Sequence, residues 1–150
     1  MEQHEFINGC IKVENTVASI YSSLMQILPK QKGFWEGLLN DEREHIAFLS
    51  DVKSLGLATE LEKMDYAPSM KEIKKTLKLT DSVTRRISDD PISFKNALKL
   101  ALKLEESMVE TYSNELIAKL LSCDDETSYK KLLADEKKHI DKVRKMMKNA

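Results

Sequence analysis

The chain has 150 residues, with 24 basic and 25 acidic side chains and a formal net charge of −1. That length predicts a single domain over residues 1–150, large enough to bury a core, and the balanced charge argues against a nucleic-acid binder or an acidic disordered tail. Four glycines and three prolines leave little turn chemistry for an all-β fold, and two cysteines, Cys10 and Cys123, form no CxxC pair for an iron–sulfur or zinc-ribbon module.

The cysteine usage fits a reducing cytosol. The N-terminus MEQHEFINGC carries acidic residues and no long apolar run, so it does not read as a signal peptide. No stretch approaches the roughly 18 apolar residues of a membrane span. A cytoplasmic chain without membrane partners is the expectation.

The periodicity is helical almost throughout. Ile7, Cys10, Ile11, Val17, Ala18, Tyr21, Leu24, Met25 and Leu28 follow helical steps along one face, and Pro29 closes this first helix. A second helix begins near Gly33, buries Trp35, Leu38, Leu39, Ile46, Leu49 and Val52, and ends at Gly56 as C-cap. Residues 57–68 read as a connection. Ser69-Met70-Lys71-Glu72 is a capping box opening a shorter, Lys-rich helix to about Ile87. Asp90-Pro91 predicts the start of a third long helix, Asp as N-cap and Pro at the first helical position. That helix is expected to run to about Leu121, with Leu98, Ala101, Leu102, Met108, Val109, Tyr112 and Leu116 facing inward. Ser122 or Asp124 can cap a last helix carrying Leu132, Leu133, Ile140, Val143 and Met147.

The expected fold is all-α. Two antiparallel hairpins joined by a long crossover, with an extra short helix in it, form the four-helix topology of ferritin-like bundles.

The two halves repeat each other. Val13-Glu14 through Tyr21 aligns with Leu104-Glu105 through Tyr112, and Leu38-Leu39-Asn40-Asp41-Glu42-Arg43-Glu44-His45-Ile46 aligns with Leu132-Leu133-Ala134-Asp135-Glu136-Lys137-Lys138-His139-Ile140. The shared patterns are E-x6-Y and LL-x-DE-x-x-HI. Glu42 and His45 are i and i+3 on a helix, as are Glu136 and His139, so each pair shares a face and can chelate one cation. Glu occupies 15 of 150 positions, so one Glu three residues before a given His has a chance of about one in ten. Twice in register with a repeat is far rarer. Glu14 lies in an apolar stripe, where a lone carboxylate is costly to bury. On the third helix Glu105 shares its face with Leu98, Ala101, Met108 and Tyr112, whereas Glu106 falls among Lys99, Lys103, Glu110 and Ser113. Glu105 is therefore expected inside and Glu106 outside.

Four inward glutamates and two histidines form the ligand set of di-iron and di-manganese carboxylate bundles. On these motifs the sequence resembles the rubrerythrin-like branch of the ferritin-like superfamily over its four main helices. The resemblance implies a non-haem di-iron site, with Glu14, Glu42, His45, Glu105, Glu136 and His139 as metal ligands and catalytic residues. It implies that Tyr21 and Tyr112 hydrogen-bond ligand carboxylates across the bundle. Asp41 and Asp135 are placed to orient the histidine of the other ExxH helix. The implied cofactor is two Fe ions, with Mn or Zn as alternatives. The implied function is an oxidoreductase reducing peroxide or dioxygen, or oxidising ferrous iron; the alternative is iron or manganese handling or sensing without turnover. Six inward ligands argue against a purely structural bundle. Partners would be metal ions, a small oxidant such as O2 or H2O2 and an external electron donor, because no rubredoxin-like CxxC domain is present. Association into a homodimer through helix faces is a further option. Rubrerythrins carry another glutamate three residues before the third-helix ligand, and Leu102 stands there instead. Trp35 reads as packing, His4 as a terminal residue, and the basic run Lys137, Lys138, Lys142, Arg144, Lys145 and Lys148 as a solvated face.

Overall fold

The computed structural model describes residues 5–63, 67–107, 109, 141 and 143–148. The described residues are all-helical, with no strand, and their helices are α1 (Glu5–Ile27), α2 (Lys32–Ser54), α3 (Ala58–Glu62), α4 (Met70–Asp89) and α5 (Phe94–Glu105). Residues 143–148 are helical as well. No helix among them is long and apolar enough to cross a membrane.

α1 and α2 are 23 residues each, about 35 Å long at 1.5 Å per residue. Pro29, which cannot donate to the preceding turn, opens a 3-10 turn over Pro29–Gln31 that reverses the chain. The two helices pack along their length as an antiparallel pair. α2 ends where Gly56 takes φ +74°. Its N–H bonds Lys53 O and that of Leu57 bonds Val52 O, each at 3.1 Å, which satisfies the last carbonyls in a Schellman motif.

α4 opens with the capping box. Ser69 Oγ accepts from Glu72 N–H at 3.1 Å, and the Glu72 carboxylate accepts from Ser69 N–H at 3.1 Å. α4 runs to Asp89, 20 residues, so the crossover helix is nearly as long as α1 and α2 rather than short. It packs on α1 through Ile73, Thr76, Thr80, Val83 and Ile87. The buried threonines are tolerated because they donate to carbonyls of their own helix, Thr76 to Glu72 O and Thr80 to Leu77 O. The connection after α2 also contains the five-residue α3.

The start of α5 differs from the Asp90-Pro91 expectation. Asp90 is extended, φ −130° and ψ 149°, as a residue before proline prefers. Ser93 takes the N-cap instead, its side chain accepting from Asn96 N–H at 3.1 Å. α5 also stops earlier than the sequence suggests. Glu106 caps it with φ −88° and ψ 1°, and Ser107 N–H turns back to Leu104 O at 3.1 Å. Val109 is helical again and fully buried. The expected continuation to Leu121 and most of the last helix lie outside the described residues. Beyond the break, Arg144 meets Glu106 at 3.0 Å on the surface, a contact worth little in itself.

α1 and α4 approach each other closely at Gly9. A Cβ there would stand 2.8 Å from Ile73 Cγ2, and Ile73 is fully buried and β-branched, so it cannot yield. Gly9→Ala should lose about 1–3 kcal/mol to overpacking, more than the ~1 kcal/mol that Ala gains over Gly in a helix. Gly33→Ala, with nothing within 4 Å of its Cβ, should show that gain undiminished. Urea denaturation of the two variants checks the contrast.

Candidate metal centre

The site follows from the register of the first hairpin. Glu14 lies thirteen residues before the end of α1, and His45 thirteen after the start of α2. An antiparallel pair therefore sets them level, and the i, i+3 spacing brings Glu42 to the same face. His45 Nδ1 is 3.7 Å from Glu14 Oε2 and 3.9 Å from Glu42 Oε2. Each of the three residues offers a donor atom within 4.8 Å of the others, a grouping that could hold a metal ion.

Glu14 and Glu42 are 0% exposed, and Glu105 is 1% exposed. Glu106, its neighbour, is exposed. Glu105 faces the site from α5, where its carboxylate receives the Tyr21 hydroxyl of α1 in a 2.5 Å hydrogen bond. Three carboxylates from three helices thus enter one apolar interior lined by Cys10, Val13, Val17, Leu38 and Ala101. An ionised carboxylate costs several kcal/mol to bury without positive charge nearby.

His45 supplies such charge when protonated. Burial of the ring works against its positive form, yet the adjacent Glu14 carboxylate, helped by Glu105 and Asp41, outweighs this and raises the imidazole above its ordinary 6.5. Asp41 is partly buried on α2. Cys10, one turn before Glu14, is pushed up to about 12 by burial and then by the Glu14 charge. Both effects favour the neutral thiol in the metal-free protein.

Of the residues singled out from the sequence, the structure brings together Glu14, Glu42, His45, Glu105 and Tyr21, with Asp41 at the edge. Glu136, His139, Tyr112 and Asp135 lie outside the described residues. The sequence reading assigned Trp35 to packing only. It is fully buried, and its indole stacks on the Tyr21 ring with centroids 6.0 Å apart. The signal in the sequence was its place near the start of α2, close to level with Tyr21 near the end of α1.

The raised His45 pKa has a definite sign for stability. The metal-free protein holds the full contribution below 6.5, where the unfolded imidazole is also protonated, and loses it as pH rises through the higher folded value. Urea midpoints of the metal-free protein should therefore fall over that window. His45→Gln should remove that decline.

Compared with protein-family models, curated proteins and solved structures, the chain has no match in any of the three.

Proposed function

We propose that the chain is a non-haem metal protein of redox type, a ferritin-like four-helix bundle similar to rubrerythrins, holding two iron ions. The observation that carries this reading is the convergence of Glu14, Glu42 and His45 donor atoms within 4.8 Å inside the core, with Glu105 buried beside them. The donor set fits the ion. Carboxylate and imidazole together suit iron, manganese or zinc, and the buried negative charge is what divalent cations offset. Glu136 and His139 enter through the sequence repeat, which sets them in register with Glu42 and His45.

Glu42 with His45 would hold one ion and Glu136 with His139 the second, with Glu14 and Glu105 as further ligands. When bound, ferrous iron supplies electrons to dioxygen or peroxide. The chain's own part is to exclude bulk water and hold the ligands. Tyr21 fixes one oxygen of Glu105 through its hydroxyl, and Asp41 adds negative charge beside His45. Electrons for repeated turnover come from a separate donor.

Leu102, partly buried on α5, stands where rubrerythrins have their additional glutamate. That position favours a second reading, iron or manganese handling or sensing without turnover.

Anaerobic loading with ferrous iron, then addition of peroxide or dioxygen, separates these readings by optical and Mössbauer spectra. The redox reading expects two ferrous ions per chain, both oxidised on addition. Uptake without oxidation selects the second reading, and absence of uptake overturns both. Glu14→Gln and Glu42→Gln each remove a ligand and should weaken iron binding by more than the roughly 10–100-fold loss typical of an outer supporting partner, measured by competition with a chelator.

A further inference from the structure

The outward face of α4 concentrates positive charge. Lys71, Lys74, Lys75 and Lys78 fall within one short stretch of the helix and all four are exposed, while Ile73, Thr76 and Thr80 turn the opposite side to α1. Spacings of three and four residues make each lysine a neighbour of two others on the helix surface, and like charges so placed are destabilising. Lys71 also stands in the first turn, where the positive end of the helix dipole opposes a cation.

The nearby acidic side chains of α4 are directed elsewhere. Glu72, the one acidic residue between 71 and 78, is turned back to Ser69, whose N–H and hydroxyl donate to its carboxylate at 3.1 and 3.2 Å. Asp81, the next one, lines the groove between α4 and α1 together with Lys12. Among the described residues none of the four lysines has a carboxylate partner. The lysines of α5 differ. Lys95, Lys99 and Lys103 are spaced one per turn, and Lys103 stands in the last turn, where the helix dipole favours a cation.

We propose that the face of α4 at Lys71, Lys74, Lys75 and Lys78 docks a partner protein that presents carboxylates at matching spacing. Carboxylates laid along the row relieve the repulsion between the lysines, and complementary charge of this kind sets the rate and specificity of an encounter more than its affinity. The residue types single out a protein as the partner. Lysine is a strongly hydrated point charge, whereas nucleic-acid recognition draws on arginine forks and aromatic stacking, and residues 71–78 contain neither arginine nor an aromatic ring. A bilayer surface is gripped by exposed apolar side chains beside the charges, and the exposed large apolar residues among those described, Ile27, Leu55 and Leu57, lie off α4. Docking here does not depend on a metal in the core.

Lys71→Glu combined with Lys74→Glu tests the face through stability and binding together. Each substitution puts a carboxylate four residues before a remaining lysine, Lys75 or Lys78, which is a favourable pair. The double variant should therefore show a higher urea midpoint than the parent chain at low salt. The binding probe is an alanine-based helical peptide with glutamates at i, i+3, i+4 and i+7. In nuclear magnetic resonance titrations it should shift the amides of residues 71–78, with affinity about tenfold lower in the double variant. Binding should also be lost at about 0.5 M salt, where charges are screened within a few Å. A peptide of the same composition with its glutamates spread around the helix should bind more weakly, and Lys99→Glu on α5 should leave binding unchanged. Retained binding in the double variant, equal binding of the two peptides, or tighter binding of a single-stranded oligonucleotide or of phosphatidylglycerol vesicles overturns the proposal. So does a double variant no more stable than the parent.

Discussion

Three carboxylates inside an apolar core are the constraint on which the rest of the structure depends. Glu14, Glu42 and Glu105 come from three different helices and all lie at 0–1% exposure. Apolar residues of similar volume at such positions commonly give equal or greater stability, so packing does not explain why glutamates stand there. A bound cation, as proposed, would explain it. In the metal-free chain the raised pKa of His45 draws a proton to the cluster. A metal ion held there would compete for the same place, because the imidazole must lose that proton to become a ligand. On the proposed reading, proton and metal would be alternative ways of closing one core.

The surrounding architecture serves this interior. The proline-opened turn between α1 and α2 fixes the register that sets Glu14 level with His45. The close approach at Gly9 clamps α4 along the back of α1. α5 arrives from a serine cap and delivers Glu105 on its final turn, next to a break at Glu106. Departures from regular helix geometry recur at functional sites in other helices. The aromatic wall of Tyr21, Trp35, Phe34 and Phe94 closes another side, and its phenol holds Glu105 in place.

Much of this was legible in the sequence because it is local and periodic. The stripe from Ile7 to Leu24 defines α1, Ser69 and Glu72 define the cap of α4, and Gly56 defines the end of α2. Even the choice between Glu105 and Glu106 follows from which face each shares. What escaped was set by competition or by tertiary contact. Asp90 and Ser93 both offer caps three residues apart, and the proline after Asp90 decides between them by holding it extended. The break at Glu106 is invisible because inward-facing residues continue on both sides of it. Trp35 gains its place beside Tyr21 only when the hairpin forms, and no spacing within α2 encodes that.

The central claim is that Glu14, Glu42 and His45 hold a metal ion inside the helices. The most direct measurement is anomalous X-ray diffraction from crystals grown with manganese or iron, recorded on both sides of the metal absorption edge. The account predicts an anomalous peak within bonding distance of all three side chains, with Glu105 facing it. Metal bound only at surface carboxylates, with the space between Glu14, Glu42 and His45 lacking an anomalous peak at saturating metal, would contradict it.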